Sequence, residues 1–295
     1  MDGYPLLAQS RLAESDRSPG RARFPNRRAL GAILVKSFYE FIRYPANFFF
    51  ALVMPVIWFL PVYFLIVSFA PGGESAGLSA WIGESNFFTY LPMGLLVGYV
   101  ISQIFWGMGF ALKRLMDIGV LETIWSCPVP RYIHVVGESL FSLCRMTVEL
   151  TIVLVVYRFL YGFVIPPTAL RILPYVVPFV ILVYGFGIGF AALVLLVKDA
   201  NTMVDTSSFL VSGITGTQNP PQVFPRFLIA IALAIPITHF VDIMRVETLG
   251  IDPLVSPTIE YAVFFASVVI LPALGIYFFS RVERRSRRLG NLHVH

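Results

Sequence analysis

YPANFFFALVMPVIWFLPVYFLIVSFAPGG, residues 44–73, runs from Arg43 to Glu74 without one charged side chain. A helix rises about 1.5 Å per residue, so roughly 20 mostly apolar residues cross the hydrocarbon of a bilayer. This stretch has that length to spare and predicts a membrane span at about 47–69. The same reading extends along the chain. No charge falls between Glu84 and Lys113, which predicts a span at 87–112. A third, at 133–160, is apolar but carries Glu138, Arg145, Glu149 and Arg158. A fourth lies between Arg171 and Lys198, at 172–197. A fifth, at 204–219, follows Asp205 and runs into Gly213, Gly216, Pro220 and Pro221. The last, at 258–280, lies between Glu260 and Arg281. The expected fold is an all-α membrane protein with six transmembrane helices.

Composition agrees. Of 295 residues, 57% are hydrophobic and 13% charged, against about 25% charged in soluble domains. The mean hydropathy is +0.77. A single water-soluble domain could not cover its surface from this composition, and disorder needs low hydrophobicity. The net charge of +5 is not spread evenly. Residues 1–46 hold Arg11, Arg17, Arg21, Arg23, Arg27, Arg28, Lys36 and Arg43, and the tail holds Arg281, Arg284, Arg285, Arg287 and Arg288. Lys113, Arg114 and Arg131 lie between the second and third spans, whereas residues 70–86 have Glu74 and Glu84 but no Lys or Arg. The positive-inside rule then places both termini in the cytoplasm of a multi-pass inner (plasma) membrane protein. The basic residues orient the chain in the bilayer and do not imply a nucleic-acid partner. Residues 1–28 are polar and Arg-rich with no apolar core, so they read as a basic cytoplasmic tail and not as a cleaved signal. Residues 283–295 read as a second cytoplasmic tail. Cys127 and Cys144 are expected as free thiols.

One segment fits no simple span. Residues 227–235 are apolar and stop at Pro236; Ile237 to Leu249 contains His239, Asp242, Arg245 and Glu247. Neither piece can cross alone. Together, over 224–250, they predict an external re-entrant helical hairpin, and irregular backbone at that depth must be buried in protein or line a wet cavity.

Chemistry-bearing motifs are absent. Lys36, Lys113 and Lys198 are not preceded by Gly, so there is no P-loop. His134, His239, His293 and His295 have no metal-ligand spacing, and no Gly-x-Ser-x-Gly elbow occurs. The chain is expected to bind no cofactor or metal and to catalyse nothing alone.

Two cytoplasmic segments carry a signal instead. In ALGAILVKSFYEFIRY, residues 29–44, the apolar Leu30, Ile33, Leu34, Phe38, Phe41 and Ile42 recur every three or four positions, while Lys36, Glu40 and Arg43 fall largely on the other side. This predicts an amphipathic helix in the membrane interface, broken by Pro45. The loop KRLMDIGVLETIWSCPVPR, residues 113–131, mixes Leu121, Ile124 and Trp125 with Asp117, Glu122 and Arg131, and ends on Pro128 and Pro130. A short helix of that kind suits docking to a soluble partner.

At this point the chain resembles the membrane subunit of ATP-binding cassette exporters of the type-2 permease family. Gly119-Val-Leu121-Glu122-Thr123-Ile-Trp125-Ser-Cys-Pro128-Val129-Pro-Arg131 is similar to the family's Gly-x-Leu-Glu…Pro-Val-x-Arg segment after span two. Arg43-Tyr44-Pro45 resembles the end of its connecting helix, and Pro236-Ile-Thr-His239 with Asp242-Ile-Met-Arg245 resembles its external re-entrant helices. The resemblance runs over about 29–282. It implies ATPase coupling through Gly119, Leu121, Glu122, Thr123, Trp125 and Arg131, and a connecting helix bearing Lys36, Glu40 and Arg43. It further implies an external gate near Gly213, Asn219, Pro220 and His239. The implied partners are an ABC ATPase in two copies, which binds the ATP and magnesium, and a second permease copy or a paralogue, all in a lipid bilayer. The implied cargo is a polysaccharide, lipid or drug-like molecule. The family's hydrophobic stretch after span five is more polar here, Ser212-Gly213-Ile-Thr-Gly-Thr-Gln-Asn219-Pro220.

Glu138, Arg145 and Glu149 are spaced by seven and four residues and share a face of span three. They read either as a structural ion pair at a helix contact, the reading favoured by the i,i+4 spacing of Arg145 and Glu149, or as a polar lining of the transport route. An alternative from another class, an ion-gradient-driven secondary transporter, would use these three residues as a relay.

Overall fold

The computed structural model describes residues 26–83, 86–117, 131–163, 166–194 and 200–288, and the regular elements among them are helical. In chain order they are α1 (Asn26–Arg43), α2 (Pro45–Phe69), α3 (Ala76–Ile82), α4 (Phe87–Asp117) and α5 (Arg131–Tyr161), then α6 (Leu173–Val194), α7 (Ala200–Ile214), α8 (Arg226–Ala234), α9 (Pro236–Leu249) and α10 (Pro257–Arg288). Short 3₁₀ turns occupy Pro71–Gly73, Pro167–Ile172 and Pro221–Val223. The chain forms two compact units, Met1–Pro45 with Ile118–Arg145, and Ala46–Asp117 with Met146–His295. Helix α5 runs through both.

In the first unit, α1 packs on the beginning of α5. Gly137 makes the approach possible, since a Cβ there would lie 2.7 Å from the Ile33 side chain. Phe41 meets Phe141 edge to face, with ring centroids 6.2 Å apart. The break between α1 and α2 falls at Tyr44, where Pro45 takes the first position of the next helix, a place at which its missing N–H costs nothing.

In the second unit α4 and α6 form the centre. Some 44% of the most apolar window of each is buried, against 11–17% for α2, α5 and α10. Ile101, Phe105, Leu182, Val183 and Ala192 are fully enclosed, and Phe105 stacks on Phe190 at 5.2 Å. Helix α10 lies close against α6 because the contact is built from small residues. A Cβ on Gly185 would collide with Pro272, and one on Gly275 with the Gly185 carbonyl. Such stripes let membrane helices approach where no hydrophobic drive separates them from lipid. Helix α2 contains Pro55 and Pro61. The Tyr157 hydroxyl of α5 donates to the Pro55 carbonyl at 3.0 Å, and the Tyr161 hydroxyl to the Val56 carbonyl at 2.8 Å. Neighbouring side chains thus serve carbonyls in the proline-interrupted stretch of α2, as a membrane helix requires.

Five described helices are long and apolar enough to cross a membrane, or six if the bent α8–α9 pair counts as one span. Those at 47–69, 87–112, 133–160, 172–197 and 258–280 in the sequence reading correspond to α2, α4, α5, α6 and α10. The expected fifth span, 204–219, differs. Its helix, α7, has 15 residues and stops at Ile214, a rise of ~22 Å against the ~30 Å of hydrocarbon. The stop has a local cause. Gly216 takes the left-handed conformation, φ +83°, and the Thr217 hydroxyl donates to the Ser212 carbonyl at 2.5 Å, satisfying a helix-end acceptor. Helix α10 also runs past its expected limit, so 283–288 continue a helix that was expected to end at the membrane.

Candidate functional site

The hairpin begins with the sequence Ala234-Ile-Pro-Ile-Thr-His239. Pro236 has no N–H to offer the preceding turn, and the two helices bend by 97° at this point. The carbonyls at the end of α8 then need other donors. Ile235 N–H and the Thr238 hydroxyl both serve the Ala232 carbonyl, at 3.0 and 2.6 Å. His239 Nε2 serves the Leu233 carbonyl at 3.0 Å. A carbonyl only accepts, so Nε2 carries the hydrogen. Gly250, at φ +70°, closes the far end of α9 with its N–H on the Val246 carbonyl.

Helix α9 is buried on nearly every side, from Ile237 to Arg245 without interruption. Its polar residues meet α4, the turn after α7 and α10. Asp242 accepts from the Leu254 N–H at 2.8 Å, tying the segment after α9 to the helix. The Arg245 guanidinium, 1% exposed, stacks over the Tyr90 ring of α4 with 3.9 Å to the centroid. Its Nη2 donates to the Thr217 carbonyl at 3.4 Å. That carbonyl rests directly on α4 at Gly94, where any Cβ would collide with it. His239 Nδ1 lies 3.6 Å from Glu260 Oε1 of α10, too far for a hydrogen bond. The Thr168 hydroxyl donates to the Thr248 carbonyl at 2.6 Å. The hairpin therefore pins the turn between α7 and α8 onto the end of α4. Tyr90, Thr215, His239, Arg245 and Glu260 bring their polar atoms together in the buried interior.

Of the external gate candidates, Gly213 and Pro220 are half-buried, Asn219 is exposed and His239 is buried in the cluster. Sequence reasoning did not connect Tyr90, Gly94, Thr217 and Glu260 with the hairpin. The only available signal was Glu260 at the edge of an otherwise uncharged span.

Two of the span-three charges reach side chains on other helices. Glu149 is fully buried and accepts from the Tyr99 hydroxyl at 3.1 Å, which in turn accepts from Gln103 Nε2 at 2.6 Å. Glu138 is half-exposed and accepts from Lys36 Nζ at 3.1 Å, while Lys36 also lies 3.4 Å from Glu40. Burial works against the charge of Lys36, but Glu138 and Glu40 outweigh it and raise its pKa above the ordinary lysine value. Arg145 sits one turn before Glu149 on α5, and Arg43 is exposed at the last turn of α1. Gly119, Leu121, Glu122, Thr123 and Trp125 lie outside the described residues, as does Cys127; Arg131 opens α5. Cys144 is a free, exposed thiol.

The described residues thus form an all-helical membrane architecture with a protein-buried, sharply bent helix pair. The model of the ABC-2 type transporter family matches residues 28–248, and the chain belongs to that family. It is the permease, the membrane-embedded subunit, of an ABC transporter, and membership implies an ABC ATPase as its partner. No curated protein matches the chain.

Proposed function

We propose that this permease is the pathway-forming half of an exporter in the cytoplasmic membrane, with both termini cytoplasmic. Two copies, or one copy and a paralogue, enclose the route. Two ATPase subunits, which hold the ATP and magnesium, dock below at a coupling helix around Gly119–Trp125, with Arg131 beside it and the α1 helix as support. ATP-driven closure of the ATPase pair shifts the coupling helices and changes the balance between inward- and outward-open states, a population shift set by differential binding. Polysaccharide, lipid or drug-like cargo fits such a route.

The hairpin is the observation that supports this reading most. It holds the turn after α7 against α4 through one stacked guanidinium, one 3.4 Å hydrogen bond and shape. An outer end closed by a few directional contacts can open by breaking them. The secondary-transporter alternative would use Glu138, Arg145 and Glu149 as one relay; in this reading Glu138 with Lys36 and Glu149 with Tyr99 serve helix contacts.

The test is made on the coupling segment. Leu121→Asp and Glu122→Arg are expected to leave the complex assembled and its basal ATPase measurable while export in vesicles falls at least about tenfold, ~1.4 kcal/mol of lost coupling. Normal export by both variants would remove the docking assignment. Uphill transport by the reconstituted permease with no ATPase present would overturn the whole reading.

A further inference from the structure

Helix α1 has two apolar faces, and α5 uses only one. Leu30, Ile33, Ser37 and Phe41, three or four residues apart, form the face beside α5, and Ser37 is buried there. On the opposite face Val35, Phe38, Tyr39 and Ile42 are 52–67% exposed. Arg28 stands in line with that face, seven residues before Val35 and eleven before Tyr39. Arg27 and Arg43 flank its two ends, and all three guanidinium-bearing residues are exposed. The one carboxylate of α1, Glu40, lies on the edge towards α5, where Lys36 holds it at 3.4 Å and also binds Glu138. Only Tyr44 separates α1 from the first membrane span.

We propose that the outer face of α1 is a binding surface for anionic phospholipid: its four apolar side chains enter the inner leaflet while Arg27, Arg28 and Arg43 hold the phosphates of negatively charged headgroups. A strip of this shape suits a leaflet, because long cationic side chains keep their heads at the headgroup level as their stems lie along apolar surface. Charge complementarity selects anionic lipid over zwitterionic lipid, and it does so within a Debye length of the surface. The surface is independent of what the permease exports.

The experiment uses the full chain with Cys127→Ser and Cys144→Ser, a fluorophore on Tyr39→Cys, and vesicles of phosphatidylcholine containing phosphatidylglycerol. A nitroxide quencher is carried on either lipid at equal mole fraction. Quenching by labelled phosphatidylglycerol is expected to exceed that by labelled phosphatidylcholine by about twofold or more. Arg27→Gln, Arg28→Gln and Arg43→Gln combined should bring the ratio to one while quenching by phosphatidylcholine persists. Molar salt, where the screening length falls to ~3 Å, should do the same to the parent chain without any substitution on α1. A probe at Val35→Cys repeats the measurement should Tyr39→Cys fold poorly. Equal quenching by both lipids in the parent, quenching by neither, or protection of the probe only when the ATPase is bound would each overturn the proposal; the last would assign the face to the protein partner.

Discussion

Arg245 is enclosed at 1% exposure, with Tyr90 beneath it and the Thr217 carbonyl at one tip. Its removal uncovers buried Asp242 on the same helix face and frees the turn it holds. Arg245→Ala is therefore expected to cost ~3 kcal/mol, seen as a clear fall in the unfolding temperature in detergent. Arg245→Lys should recover only part of this, because an ammonium cannot reproduce the planar stack. An unchanged unfolding temperature for Arg245→Ala would show that this contact does not hold the Thr217 turn on α4. Two glycines make a sharper comparison. A methyl at Gly94 would strike the Thr217 carbonyl, whereas one at Gly31 meets nothing within 4 Å. Gly94→Ala should destabilise by ~1–3 kcal/mol through overpacking, and Gly31→Ala should be neutral or stabilise by up to ~1 kcal/mol. Thermal unfolding of the two variants side by side decides the matter; equal behaviour would mean that the turn yields freely.

At the scale of elements, the α8–α9 bend arises from a short run of residues. Pro236 removes a donor, and Thr238 and His239 replace it on the carbonyls of Ala232 and Leu233. Thr238→Val keeps the shape and removes the hydroxyl, leaving a buried helix end with one donor fewer. The expected cost is ~1–2 kcal/mol, together with faster hydrogen exchange at the end of α8 than elsewhere in the hairpin. If exchange there stays as slow as in the parent, the cap is not what holds the bend. The hairpin was legible before the structure because Pro236 and the four polar residues after it are incompatible with a straight span. The short α7 was less so. Its Ser- and Thr-rich stretch reads as apolar enough to continue to residue 219, and the stop depends on Gly216 turning left-handed and Thr217 folding back on Ser212.

For the whole molecule, the number of crossings and the side of the termini are linked. Five helices reach the span criterion, six with the bent pair, and α7 has 15 residues. Termini on one side require an even count, which is met either by the bent α8–α9 pair acting as one span or by the stretch containing α7 completing a crossing. Cysteines placed at positions 20 and 290 in a cysteine-free chain are expected to resist a membrane-impermeant maleimide added outside intact cells, while one at position 80 reacts. Labelling of position 290 from outside would leave five crossings and overturn the cytoplasmic assignment of the tail. The sequence by itself determined that this is a membrane protein, the position of most apolar helices, a helix that ends before Pro45 and the break at Pro236. All of these follow from the transfer free energy of consecutive side chains and from proline's missing donor, which are local quantities. Only the tertiary structure decided that Arg245 lies over Tyr90, that Gly94 receives the Thr217 carbonyl, and that Glu138 and Glu149 answer to different partners. Those facts depend on which helix faces meet, and buried polar groups in a membrane find their partners across helices that the linear order does not align.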